Sequence, residues 1–195
     1  MVTAEPLSGK YGWTAVPRDL AKFIANTSAR NTKPAQASSI EIPITNLAGG
    51  AFESATKLLP DPTVNHCNRV FLYGSIIMQQ HFPELLASWP DFPETYYVTC
   101  MLHDIGTAPT LLTTSKMSFE FLGGIYAWDR LKELKAEKDR VEAVAEAIIR
   151  HQDLGTTGEI SALGAIIQIA TLFGALSQCS SPAACDCLGG KWEAC

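Results

Sequence analysis

Apolar residues recur every three or four positions along most of this chain, a spacing that places them on one face of an α-helix. One such face consists of Val141, Val144, Ala145 and Ile148. The pattern predicts helices over residues 17–24, 47–59, 63–80, 93–103, 118–131, 138–149 and 161–170. No stretch alternates for long enough to predict a sheet. The predicted fold class is therefore all-α, a compact bundle of about six or seven helices.

The two ends of the chain lack this periodicity. We expect an N-terminal arm over residues 1–13, one domain over 14–173, and a divergent tail, disordered or aberrant, over 174–195. The tail holds the cysteines Cys179, Cys185, Cys187 and Cys195. Their spacing lacks the Cys-x2-Cys pairs typical of zinc fingers. Cys67 and Cys100 fall in helical patterns and are predicted to be reduced thiols of the core.

Composition narrows the class of protein. The 195 residues are 47% apolar and 18% charged, as in a single globular domain, and the net charge is -5. Without a basic patch, neither nucleic acid nor a membrane surface is a favoured partner, so we expect a small-molecule substrate. No secretory signal or membrane-spanning run is evident, which favours the cytoplasm, with the nucleus as an alternative. A homo-oligomer is compatible with the sequence, although no interface can be identified from it.

The segment from Leu102 to Gly106 contains the strongest chemical signal. It places His103 and Asp104 at the end of a predicted helix. Neighbours on a helix point about 100° apart, so the two side chains converge on one ion only where the helix unwinds, and Gly106 permits such a turn. The pair would supply a nitrogen and an oxygen to a divalent metal. The structural alternative is a histidine near the helix dipole with a capping aspartate.

His66 lies in the preceding long helix, 37 residues before His103. That separation leaves room for a helix, a Pro-rich turn and a returning helix, so the two imidazoles can meet. Arg69 lies one turn further along the same predicted helix. It is either a surface residue or a residue that orients Asp104 from behind the metal ligands.

Four segments in this order resemble the HD superfamily and, within it, the fungal cyanamide hydratases. The resemblance runs from about residue 13 to residue 173. The segments are Asn65-His66-x-x-Arg69-Val70-Phe71-x-Tyr73-Gly74, Leu102-His103-Asp104-Ile105-Gly106, Met117-Ser118-Phe119-Glu120-Phe121 and Arg150-His151-Gln152-Asp153.

The resemblance implies an HD-type helical bundle that binds Zn²⁺, with Fe²⁺ and Mn²⁺ as alternatives. It implies that His66, His103 and Asp104 are the metal ligands. The implied reaction adds water to the nitrile of cyanamide through metal-bound hydroxide and yields urea. Candidates for proton transfer or substrate contact are His151, Lys116, Glu120 and Asp104 itself.

The chain departs from the family pattern after Phe173. The family's distant aspartate ligand is expected at the next position, where this chain has Gly174. Three protein ligands still suit a catalytic zinc, but the loss of an anionic ligand predicts weaker metal binding. Two alternatives therefore stay open at this stage. One is an HD-type phosphohydrolase that acts on a nucleotide, and the other is an inactive, truncated family member.

Overall fold

A central helix, covered by other helices on all sides, organises this molecule. The computed structural model describes residues 9–25 and 36–176, which contain nine α-helices, six of them with seven or more residues. These are α1 Leu20–Ala25, α2 Asn46–Leu58, α3 Asp61–His81, α4 Pro83–Ala87, α5 Phe92–Leu102, α6 Pro109–Leu112, α7 Phe119–Glu133, α8 Lys138–Arg150 and α9 Ala162–Leu176. The predicted all-helical bundle is confirmed.

The helix α5 is buried around its whole circumference, from Thr95 to Leu102. It packs against α2, α3, α8 and α9, which is why its sequence shows little amphipathic character. The covering helices, such as α8, are amphipathic and turn Val141, Val144 and Ile148 inwards. Cys67 and Cys100 are free, fully buried thiols, as predicted. The end of α5 therefore lies deep in the molecule, where its side chains are shielded from water.

Local signals set several helix boundaries. Thr45 accepts a bond from the backbone N–H of Ala48 and so caps α2, and Ser161 caps α9 by accepting from the N–H of Gly164. Ser118 occupies the predicted N-cap position of α7, but its side chain makes no capping bond. The helix α9 continues to Leu176, three residues beyond the predicted domain end at Phe173. The cysteines of the predicted tail lie outside the described residues.

Two short strands were not predicted. The strands β1 (Ala15–Pro17) and β2 (Glu159–Ser161) form an antiparallel pair with Val16 opposite Ile160. Three residues are too few for an alternating pattern to stand out in the sequence. The pair joins the start of the chain to the segment that precedes α9, so it closes the bundle.

Part of the predicted N-terminal arm is packed against the body. Tyr11 is buried, and its ring lies 4.6 Å from the guanidinium of Arg140. Gly12 has a positive φ of 80°, and a Cβ at this position would overlap the ring of Trp89. Glycine is needed here for both reasons.

None of the helices in the described part of the chain combines the length and the hydrophobicity that a membrane-spanning helix requires.

Candidate metal centre

Three side chains from two helices meet at the buried end of α5. His66 projects from the second turn of α3, whereas His103 and Asp104 directly follow the last residue of α5. The Nε2 atoms of His66 and His103 are 3.3 Å apart. Asp104 Oδ2 lies 3.6 Å from Nε2 of His66 and 3.3 Å from Nε2 of His103. Among the described residues, this is the one group of three or more ligand side chains suited to a metal ion.

The helix end explains how adjacent residues converge. His103 still has helical angles, but Asp104 has φ -98° and ψ 7°, so the helix unwinds between them as expected. We expected Gly106 to permit this turn through the conformational freedom of glycine. That reason was wrong, because the φ angle of Gly106 is not positive. A Cβ at Gly106 would instead overlap the backbone of Phe119 at the start of α7. Gly106 is therefore needed for the close approach of α7 to the turn that carries Asp104.

His103 is held in one orientation by the main chain. Its Nδ1–H donates to the carbonyl oxygen of Cys100 at 2.7 Å, and the Cys67 sulfur lies 3.9 Å from the same nitrogen. The bond at Nδ1 directs Nε2 of this fully buried ring towards His66 and Asp104. A metal-binding histidine usually has such a partner at its other nitrogen. The roles of Cys67 and the Cys100 carbonyl were not foreseen from the sequence.

The electrostatics of the cluster favour a positive charge between its members. Although burial opposes a charged imidazole, the carboxylate of Asp104 keeps the pKa of His103 well above its ordinary value. Burial likewise opposes the charged carboxylate, yet His103 holds the pKa of Asp104 well below its ordinary value. Burial and His103 together lower the pKa of His66. A proton on His103 Nε2 would face Asp104, and a metal cation can take the place of that proton.

The donor set fits a divalent metal. Two imidazole nitrogens and one carboxylate oxygen, all within 4.8 Å of one another, suit borderline ions such as zinc. Three protein donors leave room for water or substrate at the ion. The chain therefore has a possible His-His-Asp metal site, and its geometry is that expected for His66, His103 and Asp104.

His151 lies beside this cluster and is anchored in the same way as His103. It follows the last residue of α8 and donates Nδ1–H to the carbonyl of Ile148 at 2.6 Å. Its Nε2 is buried, has no hydrogen-bond partner among the described residues, and lies 3.7 Å from Asp104 Oδ1. Burial and the nearby His103 lower the pKa of His151. The neutral ring thus presents a lone pair towards the metal cluster.

The other predicted site residues are Arg69, Lys116 and Glu120, and the structure links them less directly to the metal cluster. Arg69 lies one turn after His66, and its charge contributes to the lowered pKa of His66. It forms no ion pair with Asp104 within the described chain, so its orienting role stays a prediction. Lys116 is exposed in the loop before α7. Glu120 lies in the first turn of α7, where its Oε2 is buried. The catalytic roles of Lys116 and Glu120 also stay predictions.

Gly174 lies against the metal cluster. A Cβ at this position of α9 would lie 3.2 Å from Cε1 of His66 and 3.4 Å from Cγ2 of Val70. A side chain there would therefore begin beside the ring of His66. The position is therefore well placed for the additional ligand that the family pattern led us to expect, and glycine cannot supply it.

A cleft among the described residues lies away from the metal cluster. It has a volume of about 430 Å³ and lies between α2 and α7, lined by residues such as Tyr126 and Arg130. None of the metal-cluster residues lines it. Arg130 is already bonded to Ser54 and Glu133. The metal cluster and this cleft are therefore separate features of the described residues.

Comparison with known proteins agrees with this geometry. Residues 63–172 match the model of the HD domain family. The chain is also 40% identical over 163 residues to the cyanamide hydratases DDI2 and DDI3 of Saccharomyces cerevisiae. Each alignment covers 83% of this chain and 69% of the yeast protein. The matched HD region contains His66, His103, Asp104 and His151.

Proposed function

This chain belongs to the HD-domain family and is homologous to the yeast cyanamide hydratases, and from that premise we propose that it hydrates cyanamide to urea. The observation that carries the proposal is the convergence of His66, His103 and Asp104 beside His151. His66, His103 and Asp104 would each supply a metal ligand. His151 would supply the lone pair that accepts a proton. A Lewis acid and a group that moves protons can both assist the addition of water to a nitrile.

The three ligands would hold Zn²⁺ in this proposal, and two imidazoles with one carboxylate suit both Zn²⁺ and Fe²⁺ better than Mn²⁺. When bound, the ion supplies Lewis acidity, which polarises a nitrile and makes water more acidic. His103 is locked by the Cys100 carbonyl and Asp104 by the turn after α5, so neither has to reorganise during the reaction.

His151 is the group that we propose for the proton transfer. Hydration forms one bond between the water oxygen and the nitrile carbon, and it transfers one water proton to the nitrile nitrogen. The resulting isourea tautomerises to urea. Because burial lowers its pKa, His151 is neutral near pH 7 and accepts the water proton at Nε2. The protonated His151 then transfers this proton to the former nitrile nitrogen, so the imidazole ring ends the cycle in its neutral form.

A nucleotide phosphohydrolase is less well supported. Such an enzyme holds phosphate with cationic side chains. Arg150, one of the basic residues closest to the cluster in sequence, is bonded to Glu146 at 2.9 Å, and Lys116 is exposed. Of the three basic residues considered, this leaves Arg69, one turn after His66, and a single arginine is too little to favour phosphate binding.

The test is to incubate purified, zinc-supplemented protein separately with cyanamide and with a panel of nucleoside phosphates. Urea release from cyanamide, without phosphate release from the panel, is the expected result. Phosphate release without urea would support the phosphohydrolase instead. No product from either substrate at saturating zinc would favour the inactive family member.

A further inference from the structure

One carboxylate oxygen near the metal cluster has a hydrogen-bonding capacity that the described chain does not use. The Oε2 of Glu120 is buried and has no hydrogen-bond partner among the described residues. Buried polar atoms are nearly always hydrogen-bonded, because burial without a partner costs about 1–3 kcal/mol. A carboxylate accepts hydrogen bonds but donates none. The missing partner must therefore bring an N–H or O–H group.

The start of α7, which carries Glu120, packs on the turn that follows Asp104. The first turn of this helix abuts Gly106, two residues after Asp104, so closely that Gly106 has no room for a Cβ. The residue before Glu120, Phe119, packs edge-on against His151 with ring centroids 5.5 Å apart. Consistently, among the influences on the pKa of His151 is the negative charge of Glu120, which opposes the lowering by burial. Glu120 therefore lies near enough to His151 for its negative charge to act on that ring.

Resting on the proposed function, we infer that Glu120 accepts a hydrogen bond from the amino group of cyanamide and makes the site selective for nitriles that carry N–H. Cyanamide has an amino group at one end and a nitrile at the other. With the amino end held by Glu120, the nitrile end is directed towards the metal cluster and His151. An alkyl nitrile offers no N–H to this carboxylate, so its binding would leave Oε2 buried and unpaired.

The inference is tested by comparing the apparent affinities (as KM) for cyanamide, methylcyanamide and N,N-dimethylcyanamide in initial-rate kinetics of the zinc-loaded protein, because the active enzyme would consume its substrate during an equilibrium titration. A hydrogen bond to a charged acceptor contributes about 1.5–3 kcal/mol. We expect the wild type to bind dimethylcyanamide roughly 10- to 100-fold more weakly than cyanamide, using 1.4 kcal/mol per factor of ten. Methylcyanamide, which keeps one N–H, should bind nearly as well as cyanamide. Equal affinity for all three compounds would overturn the inference without any variant.

The variant Glu120→Gln separates hydrogen bonding from size. A neutral amide is a weaker acceptor, so the preference for cyanamide over dimethylcyanamide should fall about tenfold. Glu133→Gln, at the exposed end of the same helix, should keep the wild-type preference. Zinc content, measured by emission spectrometry, should be equal in the three proteins. A preference that survives in Glu120→Gln would reflect size alone and would contradict the inference. Failure of the wild type to bind any cyanamide would instead contradict the proposed function.

Discussion

At the scale of single residues, the centre depends on two histidines that end helices in the same way. His103 follows α5 and His151 follows α8, and each donates Nδ1–H to the carbonyl three residues before it. Each ring therefore presents Nε2 to Asp104, at 3.3 Å and 3.7 Å. The sequence placed both histidines at helix ends. It did not show that the two ends face each other, because this depends on how α5 and α8 pack.

Replacing His151 by asparagine should separate catalysis from metal binding. The shorter amide lacks the Nε2 lone pair of the imidazole, so kcat for urea formation should fall by about 10²- to 10⁴-fold, the usual contribution of a general acid–base group. The proposed metal ligands His66, His103 and Asp104 remain, so zinc affinity should change little. Steady-state kinetics and calorimetric zinc titration measure the two effects. Loss of zinc binding in His151→Asn would show that His151 is a ligand instead.

Placing an aspartate at position 174 should strengthen metal binding. The Cβ would lie 3.2 Å from His66 Cε1, so the ring must shift by a few tenths of an ångström, but the carboxylate then adds an anionic donor. We expect Gly174→Asp to raise zinc affinity by roughly tenfold or more, judging from the 10- to 100-fold effects of supporting groups at metal sites.

The matched control is Gly49→Asp, because Gly49 lies in α2 with no atom near its added Cβ. It introduces the same residue on a helix away from the cluster, and its zinc affinity should equal that of the wild type. An unchanged affinity in Gly174→Asp would mean that the missing carboxylate does not limit metal binding in this chain.

At the scale of elements, the turn after α5 and the start of α7 form one unit. The 3-10 turn Ile105–Thr107 packs on the first residues of α7 through Gly106. This contact holds Asp104 on one side and Phe119 against His151 on the other. The sequence identified both segments by their resemblance to the family. Their contact was not predicted. From the sequence, Gly106 was explained by the turn that it permits, whereas in the structure it is needed for the close packing of α7.

The variant Gly106→Ala should therefore destabilise the fold. The added methyl would overlap the Phe119 carbonyl, which cannot move without shifting α7, and such overpacking costs about 1–3 kcal/mol. Gly49→Ala, in open space within α2, should instead stabilise by about 0.5–1 kcal/mol, because alanine loses less backbone entropy. Urea unfolding measures both. Equal effects of the two changes would show that α7 does not pack tightly at Gly106.

At the scale of the whole molecule, the helical bundle was predictable because long amphipathic segments dominate the chain. The short elements were missed, since β1, β2, α4 and α6 have between three and five residues each. The packing of residues 10–13 on the body was missed too. It depends on contacts with Trp89 and Arg140, which lie far along the sequence, and no local pattern reveals them.

Arg140 is the residue that joins these parts. It is bonded to Glu94 at the start of α5, lies 3.6 Å from Asp91, and stacks on Tyr11. Arg140→Met should lower the free energy of unfolding by about 2 kcal/mol, because it leaves partly buried carboxylates without a partner. Lys138→Met, which removes an exposed pair with Glu142, should cost less than about 0.5 kcal/mol. Similar losses in urea unfolding would show that Arg140 is no more important than a surface residue.

The central claim is that His66, His103 and Asp104 together bind one metal ion, and calorimetric zinc titration tests it most directly. The wild type should take up about one equivalent of zinc, as in a mononuclear site. His66→Ala and His103→Ala should each weaken that uptake by more than about 100-fold, beyond the effect of losing a supporting residue. Absence of saturable zinc uptake by the wild type, or full uptake by either variant, would contradict the account.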